Sequence, residues 1–225
     1  MLAAVSIAER VASVQGRIAA ACARVGRDPR GVTLVAVSKT CPPTAIAEAY
    51  RAGVRHFGEN RVQEAEEKVP QVSALGAAPV WHLVGHLQTN KAKTAAGLFA
   101  IIHSVDSPRI AETLSRHAPA ALPVFLEVNM GGEASKSGAA LQEVAALWKA
   151  VQGLPHIQVL GLMTVAPLAA DPEAVRPLFR RLRETRDGLG LVGLSMGMTD
   201  DFEVAIEEGA THVRIGRAIF GERSA

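Results

Sequence analysis

Apolar residues recur at helical spacing through residues 2–25 (Val5, Ala8, Val11, Ala12, Ile18, Ala19, Cys22), with Ser6 placed to cap the start. This pattern predicts a leading helix. Gly26 to Gly31, with Arg27-Asp28-Pro29 inside it, is turn chemistry that ends the helix. The pattern then changes. Thr33-Leu34-Val35-Ala36-Val37 is an unbroken apolar run closed by Ser38-Lys39-Thr40 and Cys41-Pro42-Pro43, and a β-branched run of this length reads as a parallel strand buried on both faces.

The alternation continues to the end of the chain. Further strands are predicted at 54–58, 80–84, 100–105, 123–129, 157–163, 191–195 and 211–216. Helical segments fall between them: 44–50 capped by Thr44, 60–68, one entered after Lys91, one opened by Ser107 with Pro108 at its first position, 139–151, 172–187 and 200–208. Eight strands alternating with helices predict one (β/α)8 TIM barrel over residues 1–225, preceded by an N-terminal helix. An open doubly wound sheet is the alternative, but no Gly-x-Gly-x-x-Gly follows the first strand, where a dinucleotide site needs one.

In such folds ligands bind where the loops leave the strand tips, and Lys39 stands at the tip of the first strand. With its stem walled by apolar residues, a lysine there loses its proton more readily and attacks carbonyls to form a Schiff base. A lysine that only snorkels out of the barrel fits the same stretch. Strands seven and eight leave through Ser195-Met196-Gly197-Met198 and Arg214-Ile215-Gly216-Arg217, small-residue loops of the kind that cradle phosphate in barrels. Asp200 and Asp201 are expected to cap their own helix, which leaves the Ser195 hydroxyl and the amides near Gly216 for the phosphate.

Composition narrows the function classes. Of 225 residues, 48% are hydrophobic and 20% charged, enough for one full core. The net charge of +2 is interspersed and aromatics are 4%, which argues against a nucleic-acid platform. Cys22 and Cys41 form neither a disulfide framework nor a metal-type pair, so a reducing cytoplasm is expected. Glu9, Arg10 and Gln15 interrupt the start as no signal peptide would, and no run approaches membrane-spanning length; a soluble, unprocessed protein is expected. His82 and His86 straddle a strand end and do not read as a zinc pair, and no metal is expected. Glu59 and Glu127 are a possible carboxylate pair at strand tips, more commonly structural; Cys41 reads as a small buried residue and Lys136 as a solvated surface lysine.

Six blocks together resemble the YggS/PROSC family of pyridoxal phosphate homeostasis proteins: Val37-Ser38-Lys39-Thr40, His56-Phe57-Gly58-Glu59-Asn60, Trp81 through Lys91, Gly161-Leu162-Met163-Thr164, Ser195-Met196-Gly197-Met198 and Val213 through Gly221. The resemblance runs nearly end to end. It implies a barrel like the alanine racemase N-terminal domain, with pyridoxal 5′-phosphate (PLP) in Schiff-base linkage to Lys39. It further implies Ser195, Gly216 and Arg217 around the phosphate, Arg214 facing the pyridine nitrogen, and Asn60 and His82 near the cofactor. Met130-Gly131-Gly132-Glu133 departs from the family pattern, which has a serine for one glycine.

An arginine against the ring nitrogen keeps it unprotonated and weakens the cofactor as an electron sink, which disfavours transamination. Racemisation needs a second acid/base on the opposite face, which racemases draw from a further domain. Here the sole tyrosine, Tyr50, lies in the helix after strand one, where packing is its expected role. The expectation is therefore a PLP carrier in vitamin B6 homeostasis, monomeric, with PLP-dependent apoenzymes as recipients. The alternatives are a racemase-like enzyme or a cofactor-free Schiff-base lyase.

Overall fold

The computed structural model describes residues 5–131 and 137–222. Its strands are β1 (Thr33–Val37), β2 (His56–Glu59), β3 (Val80–Leu83), β4 (Ile101–Val105), β5 (Leu122–Asn129), β6 (Ala139–Ala140), β7 (Ile157–Met163), β8 (Gly193–Ser195) and β9 (His212–Ile215). All pairings are parallel, in the order β4-β3-β2-β1-β9-β8-β7-β5, and β4 pairs back onto β5 to close the barrel. The two-residue β6 only extends the end of β5, with Val128 opposite Ala139.

The helices are α1 (Ile7–Arg24), α2 (Pro43–Arg51), α3 (Val62–Ala74), α4 (Ala92–Leu98), α5 (Pro108–His117), α6 (Val144–Val151), α7 (Arg176–Gly188), α8 (Phe202–Glu207) and α9 (Arg217–Phe220). Ser6 caps α1 in a full capping box with Glu9. Other expected ends shift for local reasons. Pro43 already has the φ of a first helical residue, so α2 starts there and Thr44 lies inside its first turn. Ser107 holds the N-cap position of α5 but makes no side-chain capping bond. α3 runs on through Pro70 to Ala74. Residues 139–143 form β6 and a 3-10 turn before α6 begins at Val144.

Strand side chains alternate between two environments. Outward-facing positions such as Ala36, Phe57, Leu83, Ile102, Leu126, Leu162, Leu194 and Val213 are buried in the apolar layer beneath the helices. The barrel interior is different. His56, His82, His103, Phe125 and His212 stand ring against ring, with neighbouring centroids 4.7 to 6.3 Å apart. Gly193 makes room for this cluster, because a Cβ there would lie 2.7 Å from the Phe125 ring. Helix α1 packs outside the barrel, with Arg17 over the Phe202 ring at 4.5 Å and bonded to Glu203, and Arg24 bonded to Glu203 and Glu207.

Strand β7 approaches β8 so closely that a Cβ on Gly161 would fall 1.9 Å from the carbonyl oxygen of Gly193. Gly161→Ala should therefore force the two backbones apart and cost about 3 kcal/mol or more. Gly16, in the exposed middle of α1 with no neighbour within 4 Å of where a methyl would sit, should behave oppositely. Gly16→Ala should stabilise by roughly 0.8–1 kcal/mol. Urea denaturation of the two variants beside the parent checks both signs.

Candidate functional site

The turn after β1 carries Lys39, and a buried ionic cluster holds that turn in place. Ser38 is fully buried and donates from Oγ to Glu59 Oε1 at 2.7 Å. Lys68 Nζ, from α3, reaches the Ser38 carbonyl at 2.7 Å, Glu59 Oε1 at 3.0 Å and Glu64 Oε1 at 2.6 Å. Glu64 in turn accepts from the Thr40 amide at 2.5 Å. Thr40 needs that support. Its φ of 65° is left-handed, an unfavourable conformation for a β-branched residue, and its hydroxyl donates to the Lys39 carbonyl at 2.6 Å. Burial pushes the Glu59 carboxyl up, against the opposing pull of Ser38 and Lys68, and its Oε2 finds no hydrogen-bond partner among the described residues.

Arg214 sits on the neighbouring strand β9, opposite Val35 of β1. It is almost fully buried and donates from Nη1 to Ser195 Oγ and from Nη2 to the Thr164 carbonyl, both at 2.7 Å. Burial lowers its pKa to about 10, with Asp201 and Glu127 pulling the other way, so it stays charged near neutrality. Behind it a line of imidazoles crosses the interior. His103 Nδ1 is 2.7 Å from Ser195 Oγ, His82 Nδ1 is 2.8 Å from His103 Nε2, and His56 Nδ1 is 2.9 Å from His82 Nε2. Burial, helped by neighbouring imidazoles, depresses His82 to about 2 and His103 well below its ordinary value, and burial with nearby His56 and Arg214 takes His212 to about 4. All three are neutral at physiological pH.

The loops beyond β8 and β9 keep their backbones close. Gly197 has φ 91°, and a Cβ there would meet Ala205 and Phe202; Arg214 donates its amide to the Gly197 carbonyl at 2.9 Å. At Gly216 a Cβ would lie 3.1 Å from the Val37 carbonyl oxygen. The two aspartates do not cap α8 with their side chains. Asp201 Oδ1 accepts from the Met198 amide at 2.5 Å, and Asp200 binds Arg217 at 2.5 and 2.7 Å.

The structure thus brings Lys39, Asn60, Arg214, Gly216 and Arg217 to the C-terminal mouth on adjacent strands β2, β1 and β9. Gly85 passes close to the Asn60 backbone, where a Cβ would lie 2.3 Å from the Asn60 carbonyl oxygen. Ser195 and His82 sit lower, fully buried, with the Ser195 hydroxyl turned to Arg214 and His103 and His82 held between two other histidines. Glu59 and Glu127 belong to separate networks, Glu127 accepting from Ser137 at 2.7 Å with its carboxyl pushed up by burial. His86, Asp106 and Glu127 set three donor atoms within 4.8 Å of one another, the one such group among the described residues. Cys41 is half-buried, its thiol 3.8 Å from the Lys39 carbonyl, and Tyr50 packs under Arg55. Lys136 and Gly132-Glu133 lie outside the described residues. Lys68, Glu64 and His103 do not stand out in the sequence, and Thr164 enters it only as the end of a family block, with no role attached. Only the Glu64/Lys68 pair, four apart on one helix, carries a local signal.

Residues 12–224 match the family described as alanine racemase, N-terminal domain. A pyridoxal phosphate homeostasis protein of Pseudomonas aeruginosa is 48% identical over 223 residues, covering 97% of this chain and 96% of that protein. The protein of the same name from Aquifex aeolicus is 46% identical over 224 residues, covering 96% and 97%. Among solved structures, PipY of Synechococcus elongatus with PLP bound is 39% identical, with TM-score 0.84 over 96% of this chain and all of that one. Alanine racemase of Corynebacterium glutamicum, at 19% identity and TM-score 0.67 over 95% of this chain and 62% of its own, shares the barrel.

Lys68→Met should leave Glu59 and Glu64 without their buried cation and cost about 3–5 kcal/mol. Because the Glu59 carboxyl is already pushed up, it takes a proton readily once Lys68 is gone, so the deficit should shrink as pH falls through the carboxylate range. Urea titrations at several pH values read this directly. The imidazoles set a second acid dependence. The unfolded chain protonates near the ordinary 6.5 while the barrel refuses the proton, so stability is complete above that pH and falls as pH drops toward about 4 for His212 and about 2 for His82. Each excluded proton contributes a slope of up to about 1.4 kcal/mol per pH unit, and His212→Phe should remove one such share.

Proposed function

The chain belongs to the pyridoxal phosphate homeostasis proteins, built on the alanine racemase N-terminal domain, and from that membership we propose that it binds PLP covalently through Lys39 and stores or delivers it without strong catalysis of its own. One observation carries the reading: a lysine on the turn after β1 and a buried, donor-only arginine on the adjacent strand β9 share one barrel mouth, with Arg214 in register with Val35 of β1. The donor set fits the group. Lys39 offers an amine, Arg214 a fixed cation, and Gly197 and Gly216 keep the backbones of their loops bare, a side chain being excluded at Gly197 and crowded against the Val37 carbonyl at Gly216.

The cofactor supplies an aldehyde, which condenses with a lysine amine with loss of one water. The chain's residues do the rest. The Lys68 cluster fixes the turn that presents Lys39. Gly216 and Arg217 receive the phosphate, Arg217 with its charge partly offset by Asp200, and Asn60 borders the mouth beside Lys39. A guanidinium cannot accept a hydrogen bond from a protonated nitrogen, so Arg214 holds the pyridine nitrogen unprotonated and keeps electron withdrawal weak. That favours holding the cofactor over transforming amino acids. His82 acts from below, through His103. In this reading the protein is a cytoplasmic monomer, one barrel supplying every group named, and PLP-dependent apoenzymes are its recipients.

Lys39→Ala tests the assignment. The parent protein loaded with PLP should be yellow, and borohydride should fix one cofactor mass on it; the variant should show neither while remaining folded. A fixed adduct persisting on another lysine refutes the role of Lys39. In a chiral assay the parent should racemise alanine no faster than the variant, since losing a positioned acid/base costs on the order of a hundredfold or more. Robust turnover dependent on Lys39 would establish the racemase reading instead.

A further inference from the structure

A guanidinium has N–H donors and no acceptor, so the contact between Arg214 and Ser195 has one direction: Nη1 donates and Oγ accepts, at 2.7 Å. The hydroxyl owns a single hydrogen. Its other contact is His103 Nδ1, also at 2.7 Å, and Ser195 is completely buried. If Nδ1 carried a proton, two donors would converge on Oγ and the hydroxyl hydrogen would be stranded inside the barrel, a costly arrangement. The satisfied arrangement has Ser195 donating to His103 Nδ1.

Everything behind it then follows, because a neutral imidazole has one donor and one acceptor. His103 must carry its hydrogen on Nε2 and donate to His82 Nδ1 at 2.8 Å; His82 must do likewise toward His56 Nδ1 at 2.9 Å. His56, half-buried at the start of β2, then carries its own hydrogen on Nε2 and ends the line. Phe125 and His212 wall the line with their rings and His212 bonds outside it, to Thr211.

We infer that Ser195, His103 and His82 are positioning residues for Arg214, joined with His56 in a one-way hydrogen-bond chain whose direction Arg214 sets, which commits the Ser195 proton to His103 and holds the Ser195 oxygen, and with it the guanidinium, in one place toward the ligand's ring. The chain itself stands on the ligand-free geometry; what it does for the ligand rests on the PLP reading above. One consequence follows: the Ser195 hydrogen is committed inside the barrel, so the phosphate is left to Gly216, Arg217 and the backbone of the neighbouring loops.

Long-range nitrogen NMR of protein labelled with ¹⁵N-histidine decides the matter, with His56→Gln, His82→Gln and His103→Phe supplying assignments. Without ligand, His56, His82 and His103 should each show a bare Nδ1 and a protonated Nε2; a protonated Nδ1 in any of them overturns the chain. At saturating PLP the tautomers should stay the same. A switch of His103 to the Nδ1–H form would mean that the Ser195 hydroxyl has turned to the phosphate, and the positioning role falls. In Ser195→Ala, His103 should lose its single tautomer and the ring-nitrogen shift of bound ¹⁵N-PLP should move, and the inference fails if neither responds. If PLP produces no visible absorbance at all, the cofactor reading fails, while the ligand-free spectrum still decides the chain.

Discussion

A guanidinium inside a closed barrel has to be solvated by the protein, and among the described residues Arg214 has no carboxylate in hydrogen-bond contact: a serine hydroxyl and a main-chain carbonyl take its two terminal nitrogens, while Asp201 and Glu127 act on it from further away. Burial of an unpaired cation is expensive unless polar groups surround it. The interior answers with dipoles. Ser195 is engaged by His103, His103 by His82 and His82 by His56, so the barrel that holds the cation is lined by imidazoles where barrels commonly carry branched aliphatic side chains. The hydrophobic contribution to folding is correspondingly displaced to the layer between strands and helices, where Phe57, Leu83, Ile102, Leu126 and Leu162 are fully buried.

Lys39 faces the opposite requirement. It must be presented on a short turn, and the turn adopts a left-handed residue, Thr40, that its own side chain disfavours. The cluster of Lys68, Glu59 and Glu64 overcomes this by gripping the backbone on both sides, at the Ser38 carbonyl and the Thr40 amide. Two buried polar systems thus serve the two ends of the site. One fixes the amine on β1 from the helix side, and the other fixes the arginine on β9 from the interior.

The order of strands and helices was readable because buried parallel strands advertise themselves as apolar runs, and Lys39 stood out as a charge ending the first of them. The capping box at Ser6 was local and equally readable. The imidazole line was not. Its members are 26, 21 and 92 positions apart in sequence and meet only because the strands close in register, so no spacing rule flags them. The same blindness applies to Ser195 and His82: the sequence places both on strands, but that the Ser195 hydroxyl lies against Arg214 and His103, and His82 between two other histidines, shows only in three dimensions. Residues 139–143 misled for another reason. Their apolar periodicity continues that of α6, but their backbone first pairs with β5.

Helix α1 lies outside the barrel, yet it is mechanically close to the mouth. Arg17 rests on the Phe202 ring and holds Glu203 next to it. Phe202 and Ala205 are the residues that leave Gly197 no space for a side chain. The outermost helix therefore bears on the β8 loop through a stack of two side chains, like a strut pressed against the back of a hinge. Because one joint of that strut is an ion pair open to solvent, dissolved salt loosens it while the cation-on-ring contact stays in place. The packing behind the β8 loop is thereby completed from outside the barrel, by the helix that precedes its first strand.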